Sequence, residues 1–156
     1  TPQADGQCCE TNPFTRVMDH SLVKGLTKEL GAGLLTRFVA RLVELVAIPQ
    51  QLRLGLEQLQ SAPDGEGYTP PFGNGIGVGI IEAARGRLVH RVALDVDVVK
   101  GYQIVAPTEW NFHPEGVLSK GLVGLRAENE ERLRQQAALW INAIDPCVGY
   151  ELVISR

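Results

Sequence analysis

The chain has 156 residues, of which 44% are hydrophobic and 21% are charged, so it can bury one sizeable core and is short for two ordinary domains. We therefore expect a single domain over residues 1–156. The net charge of −3 and the lack of a dense basic run argue against nucleic acid as a partner. The longest apolar stretches, such as residues 43–48, fall far short of the roughly 20 residues that span a bilayer, which argues against membrane insertion.

The three cysteines do not form a disulfide framework, because two of them are adjacent and neighbouring cysteines rarely bridge. This usage is typical of a reducing compartment, and we expect a cytoplasmic protein. The chain starts with Thr1 and without a charged segment followed by an apolar one. We interpret it as a fragment or processed piece of a longer chain.

The first third of the chain reads as a polar arm followed by helices. Residues 1–12 are polar and aperiodic, which predicts a loose arm. A helix is predicted from Asp19, its N-cap, to the glycines at 31 and 33.

A second, longer helix is predicted from about Leu34, where apolar residues recur at i, i+3 and i+4 while Arg37, Arg41 and Glu44 face outward. Pro49 lacks an amide proton and is expected to kink or break this helix. Beyond it, further leucines follow among residues that favour a helix. The residues of its predicted apolar face are Leu34, Leu35, Phe38, Val39, Leu42, Leu45 and Val46.

The second half of the chain turns first to strands and then to a helix. Residues 61–75 are rich in proline and glycine and predict an internal loop. Strands are predicted over 76–81, 88–96 and 98–105, with Gly101 at a turn or bulge. Residues 128–144 read as an amphipathic helix. Because helices precede strands, the pattern predicts an α+β fold, with helices packed beside a small mixed or antiparallel sheet.

The triplet Asp145-Pro146-Cys147 is typical of a helix opening, with aspartate as cap and proline in the first turn. Free amide groups and the helix dipole would there favour a thiolate on Cys147, suited to a metal ligand or a nucleophile. The alternative is that Cys147 is a small buried hydrophobic residue.

Arg85 follows the first predicted strand, at a turn assisted by Gly86. Its guanidinium could donate hydrogen bonds to an anionic ligand, or it could pair with Glu82 or Glu109 as plain structure. His90 is interpreted as a hydrogen-bonded packing residue, since no second histidine or cysteine stands at metal-ligand spacing.

Residues 105–114 mix prolines, aromatic residues and hydrogen-bonding side chains directly after the third predicted strand. We expect an ordered corner, with Trp110 and Phe112 anchoring it in the core. The segment alone indicates no function.

Taken together and in this order, these segments resemble the signature of nickel-iron hydrogenase large subunits. Residues 82–90 resemble the family's Glu-Ala-Pro-Arg-Gly-x-Leu-x-His, and residues 102–114 resemble its Tyr-x-x-Val-x-Pro-Thr-x-Trp-Asn-Phe-x-Pro. Residues 145–147 match the start of its Asp-Pro-Cys-x-x-Cys-x-x-His/Arg motif. Residues 10–13 and 20–23 are similar to weaker Glu-x-Gly-Pro and His-Pro-Leu-Val patterns.

The resemblance also shows where the family's metal site is lost. Cys147 matches a terminal nickel ligand of the family, but Tyr150 stands where the family has its bridging cysteine. Val153 replaces the histidine or arginine after which the family's C-terminal tail is cleaved. The family's N-terminal Cys-x-x-Cys is absent, and the adjacent pair Cys8-Cys9 has the wrong spacing for it. One matched cysteine of four does not hold a dinuclear centre.

This pattern is similar to the HupK/HoxV type of accessory protein, a large-subunit-like family with degraded cysteine motifs that acts in hydrogenase maturation. The resemblance implies a scaffold and not an enzyme, with iron carrying cyanide and carbonyl as a possible cofactor of the full-length protein and none in this chain alone. It implies a metal ligand at Cys147, a ligand-contacting Arg85 and a pocket wall at Pro107 and Thr108. The implied partners are hydrogenase maturation chaperones and a hydrogenase large subunit.

Two alternatives remain open. The chain could be the C-terminal piece of a divergent nickel-dependent hydrogenase large subunit, or a metal-free interaction module.

Overall fold

The computed structural model describes residues 2–61 and 74–155, in which six helices and one three-stranded sheet confirm the predicted α+β class. In the same residues no helix has both the length and the apolar character to cross a membrane. The elements are α1 (Pro13–Arg16), α2 (Ser21–Leu30), α3 (Leu34–Ser61), β1 (Gly75–Ala83), β2 (Gly86–Asp95), β3 (Val98–Val105), α4 (Pro107–Asn111), α5 (Val117–Val123) and α6 (Glu130–Ile144).

The sheet is antiparallel, in the order β1-β2-β3, so the antiparallel form of the prediction is the observed one. Its first hairpin closes at the pair Ala83 and Gly86, which leaves Ala84 and Arg85 as the two residues of the turn. The register of β2 on β3 shifts after the pair Ala93 and Gly101, next to the predicted bulge position. The predicted 61–75 loop lies outside the described residues except at its two ends.

The long helix α3 runs through Pro49 without interruption. The prediction of its buried face is wrong: Thr36, Arg37 and Ala40 are buried, whereas Leu42 and Val46 are 60% and 79% exposed. Arg37 is buried because its charge is matched by Glu10 and its planar group lies over two aromatic rings. A paired and stacked arginine can therefore occupy a core position that periodicity assigns to leucine.

The apolar core lies where α1, α2 and α3 meet, around Phe14, Val23 and Ala40. The helix α6 packs on α3 and buries Ala137 and Ile144. This packing brings the C-terminal end of α6 next to α3, which fixes the position of the residues after it.

The N-terminal segment is packed from residue 10 onward, although residues 1–12 were predicted to be a loose arm. Asn12 is 1% exposed and caps α1 through its side chain, and the Thr11 backbone is bonded to the Asn111 amide. Residues 10–12 are therefore packed: Glu10 and Thr11 bond to the distant Arg37 and Asn111, while the polar groups of Asn12 bond to nearby residues. The predicted N-cap Asp19 is also wrong, since α2 starts after His20.

Candidate functional site

Arg85 and Cys147, which are 62 positions apart in the sequence, meet at one exposed corner of the molecule. The Arg85 Nη1 atom lies 3.8 Å from Cys147 Sγ, and Arg85 Nε lies 3.2 Å from Asp145 Oδ2. The Asp145 carboxylate raises the pKa of the Arg85 guanidinium, mainly by its charge and then by its hydrogen bond. The corner thus combines a thiol, a cation and a carboxylate.

Asp145 ends a helix and does not begin one. It is the C-cap of α6, in a left-handed conformation with φ 60° and ψ 72°, and residues 147–155 contain no helix. The predicted helix opening is therefore wrong, and with it the helix N-terminus that was expected to favour a thiolate on Cys147. The thiol is exposed, so the alternative of a small buried hydrophobic residue is wrong as well.

Asp145 holds two arginines at once. Besides Arg85 it accepts from Arg41, whose Nη2 atom lies 3.3 Å from Asp145 Oδ2. Both arginine side chains are partly exposed, at 36% for Arg41 and 44% for Arg85. Asp145 was not predicted as a partner of Arg41 or Arg85. The sequence favours a role for it as a helix cap, and no local spacing links it to either arginine.

Neither glutamate that was considered as a structural partner of Arg85 pairs with it. Glu82 lies 2.5 Å from Arg87 Nε, and Glu109 accepts from the Ala106 amide at 3.3 Å. His90 bonds the Tyr102 hydroxyl at 2.5 Å, in agreement with the packing interpretation.

The predicted corner at 105–114 contains the short helix α4. Pro107 is buried and Thr108 is half-buried, and the Thr108 carbonyl accepts from Phe112 at 2.9 Å. The polar contacts within residues 2–61 and 74–155 do not connect Thr108 to Arg85 or Cys147. The buried polar residues of the corner are Asn111 and His113, at 2% and 5% exposure, whereas the predicted anchors Trp110 and Phe112 are half-buried.

Tyr150 and Val153, where the sequence departs from the C-terminal motif that it resembles, lie in the non-helical segment after Cys147. Tyr150 is 46% exposed and Val153 is 73% exposed. At the other end of the chain, Cys8 is half-buried with its Sγ atom 3.9 Å from the Trp110 carbonyl, and burial raises the pKa of its thiol. Cys9 is exposed.

The corner presents one sulfur donor, Cys147, with the Arg85 guanidinium beside it. In the part of the chain that the structure describes, no group of three or more histidine, cysteine, aspartate or glutamate side chains is arranged to hold a metal ion. Cys147 offers one sulfur, and Arg85 offers hydrogen bonds to an anion beside it. An open cavity of about 490 Å³ adjoins this corner, with Arg41, Glu44, Ala84 and Asp145 on its wall.

The model of the nickel-dependent hydrogenase family matches residues 7–149. The chain belongs to this family. The resemblance inferred from the three ordered motifs is confirmed.

Relatives of this chain include accessory proteins and solved hydrogenases. The chain is 40% identical over 115 residues to the hydrogenase expression/formation protein HupK of Azotobacter vinelandii, covering 69% of the chain and 31% of the relative. It is 34% identical over 164 residues to the hydrogenase expression/formation protein HoxV of Cupriavidus necator, covering 96% and 39%. The Ni-Fe-Se hydrogenase of Desulfovibrio vulgaris Hildenborough has the same fold, with a TM-score of 0.78 at 24% identity over 94% of this chain and 36% of that one. The chain thus spans well under half the length of these relatives.

Proposed function

We propose that this chain is part of an accessory scaffold in nickel-iron hydrogenase maturation, which transiently holds an iron-cyanide-carbonyl unit or assists its transfer. The observation that carries the proposal is the meeting of Arg85 and Cys147 at an exposed corner, with the Sγ atom 3.8 Å from the guanidinium. The names of the relatives HupK and HoxV, hydrogenase expression/formation proteins, support a role in maturation.

The chemistry of this corner suits a cargo that must enter and leave. The Cys147 thiolate supplies one sulfur ligand to iron, and Arg85 donates hydrogen bonds to the cyanide nitrogens. Because Arg85 is 44% exposed, it can turn toward a ligand while Arg41 still balances the Asp145 charge. A single sulfur ligand with weak enclosure favours release, which a scaffold requires.

Pro107 and Thr108 are proposed as the wall of the same pocket in the full-length protein. The support is the match of their segment to the family's Pro-Thr motif and the placement of Pro107 in the first turn of α4, which begins directly after β3. The proposed partners are hydrogenase maturation chaperones, which would deliver the iron unit, and a hydrogenase large subunit, which would receive it.

Two observations weigh against a hydrogen-activating enzyme. Tyr150 offers a phenol where the family's large subunits have a bridging sulfur, and a phenol is a poor substitute for a soft bridging thiolate. The thiol Cys147 has no second cysteine nearby in the sequence, since Cys8 and Cys9 are more than 100 positions away.

The proposal is tested by purifying the full-length protein from cells that contain the maturation machinery and measuring its metal content and infrared spectrum. We expect iron without nickel, with cyanide and carbonyl stretching bands. Replacement of Cys147 by alanine is expected to remove the bands, whereas Cys9→Ala, also an exposed thiol, is expected to keep them.

Other results would contradict the proposal. Stoichiometric nickel together with hydrogen consumption would support a divergent large subunit. If hydrogenase maturation and iron loading are both indifferent to Cys147→Ala, the scaffold chemistry proposed for Cys147 is wrong. If the unchanged protein carries no iron at all and maturation is still indifferent to the substitution, the chain acts as a metal-free interaction module.

A further inference from the structure

The turn that carries Arg85 is hydrogen-bonded by a second arginine. Arg16, at the end of α1, donates from Nη1 to the Ala83 carbonyl at 3.1 Å and from Nη2 to the Ala84 carbonyl at 2.9 Å. These are the two carbonyl groups that precede Arg85 in the chain. The contact holds the backbone of the turn and leaves the Arg85 side chain available to Asp145 and Cys147.

Arg16 is itself held in place from helix α3. Its Nε and Nη2 atoms donate to the two carboxylate oxygens of Glu44, at 2.5 and 2.8 Å. A bidentate pair of this kind sets the plane of the guanidinium, so the remaining N–H bonds point in a defined direction. Glu44 and Arg16 are only about one-fifth exposed, and the hydrogen bond to Glu44 raises the pKa of Arg16.

The other side of the turn is closed by the N-terminal segment. The Thr11 hydroxyl accepts from the Arg87 amide at 2.7 Å, and the Asn111 side chain bonds both the amide and the carbonyl of Thr11. Gly86 has φ +136°, and a Cβ atom there would overlap the Thr11 carbonyl. Only glycine allows this close approach.

We propose that Arg16, oriented by Glu44, is a positioning residue that holds the turn at 84–85 so that the Arg85 guanidinium faces Cys147. The inference rests on the proposed function for what Arg85 does, but the placement itself does not depend on any bound metal. Arg16 fits this role because one planar group reaches Glu44 and both turn carbonyls at once, which a lysine ammonium does not.

The test uses the reaction of Cys147 with two alkylating reagents in the full-length protein. Iodoacetate is an anion and iodoacetamide is neutral, so the ratio of their rates at one thiol reports the cation beside it. The ratio of the iodoacetate rate to the iodoacetamide rate at Cys147 is read by peptide mass spectrometry. We expect Arg85→Gln to lower this ratio about fivefold, because it removes one positive charge at about 4 Å from the thiol in a solvated site. Arg16→Gln is expected to lower the ratio at least twofold although it does not touch the thiol.

Matched variants separate positioning from loss of structure. Arg91→Gln, which removes a sheet arginine bonded to Gln103, is expected to leave the ratio unchanged. The half-buried Cys8 serves as an internal reporter of folding, because it becomes reactive if the protein unfolds. If Arg16→Gln exposes Cys8, the milder Glu44→Gln, which keeps a neutral hydrogen-bond acceptor, replaces it.

The inference is overturned if Cys8 stays protected and the ratio at Cys147 in both Arg16→Gln and Glu44→Gln equals that of the unchanged protein. A lowered ratio in a protein that binds no iron unit would uphold the positioning role while rejecting the proposed function. An unchanged ratio in a protein that binds the iron unit would reject the positioning role and uphold the proposed function.

Discussion

Two arginine-carboxylate pairs differ in both geometry and surroundings. Arg37 and Glu10 are joined by two hydrogen bonds of 2.6 and 2.8 Å, with side chains that are 4% and 15% exposed. Arg85 and Asp145 are joined at 3.2 Å, with side chains that are 44% and 29% exposed.

The partners explain the difference. Arg37 lies over the rings of Phe14 and Trp140, at 5.1 and 4.9 Å from their centroids, and also donates to the carbonyls of residues 32 and 33. Every direction around its guanidinium is thus occupied by protein. Arg85 has solvent on one side, so it can exchange a partner for a ligand. The first pair is enclosed by the fold, whereas the second is accessible to solvent and to ligands.

The largest expected effect is at the buried pair. Replacing Arg37 by methionine leaves the Glu10 carboxylate without its partner in a site that is largely shielded from water. Loss of one partner of a buried ion pair costs about 3–5 kcal/mol, so we expect a loss of that size in the free energy of unfolding measured by urea titration.

A double variant sharpens this prediction. Adding Glu10→Leu to Arg37→Met removes the orphaned charge, and we expect part of the lost stability to return. A loss below about 1 kcal/mol in the single variant would show that the pair resembles an exposed one.

A smaller effect is expected where Trp140, the ring that Arg37 covers, meets helix α5. A Cβ atom at Gly121 would overlap the Trp140 ring, whereas Gly55 in α3 has open space around it. We expect Gly121→Ala to destabilise the protein by about 1–3 kcal/mol through overpacking. Gly55→Ala is the matched control and is expected to stabilise α3 by about 0.5–1 kcal/mol. Equal effects of the two changes on thermal unfolding would contradict the packing described for Trp140.

The smallest effect on stability is expected at the exposed pair. Arg85→Gln should leave the free energy of unfolding nearly unchanged, because solvent screens an exposed ion pair and Arg41 still balances Asp145. Urea titration beside Arg37→Met measures this directly. A loss comparable to that of Arg37→Met would mean that Arg85 is a structural residue and would remove the contrast between the two pairs.

Several features of the fold could be predicted because they depend on neighbouring residues. The strands over 88–96 and 98–105, the Gly86 turn and the start of α3 all arise from short-range patterns that the structure retains. The buried face of α3 could not be predicted in this way. Periodicity favours the leucines, but Thr36 and Arg37 are the residues that are buried, with Phe14 of α1 and Trp140 of α6 lying over Arg37.

The same limit applies to the candidate site. Asp145 has the composition of a helix cap, and its left-handed conformation at the end of α6 is compatible with that residue type. Whether an aspartate opens or closes a helix depends on the conformation of the residues on either side of it. Asp145 pairs with Arg41 and Arg85, which are 104 and 60 positions away in the sequence. Patterns of neighbouring residues therefore cannot predict these contacts.

Three ordered motifs are enough to identify the family and to show a tyrosine at position 150 where the matched motif has a cysteine, because the residue at a motif position is read directly from the sequence. The folded chain, by contrast, is needed to place Arg85, Asp145 and Cys147 at one corner and Arg16 against the turn beneath it. Such contacts join elements far apart in the chain, and their geometry is set by the packing of helix on helix and of the hairpin against them.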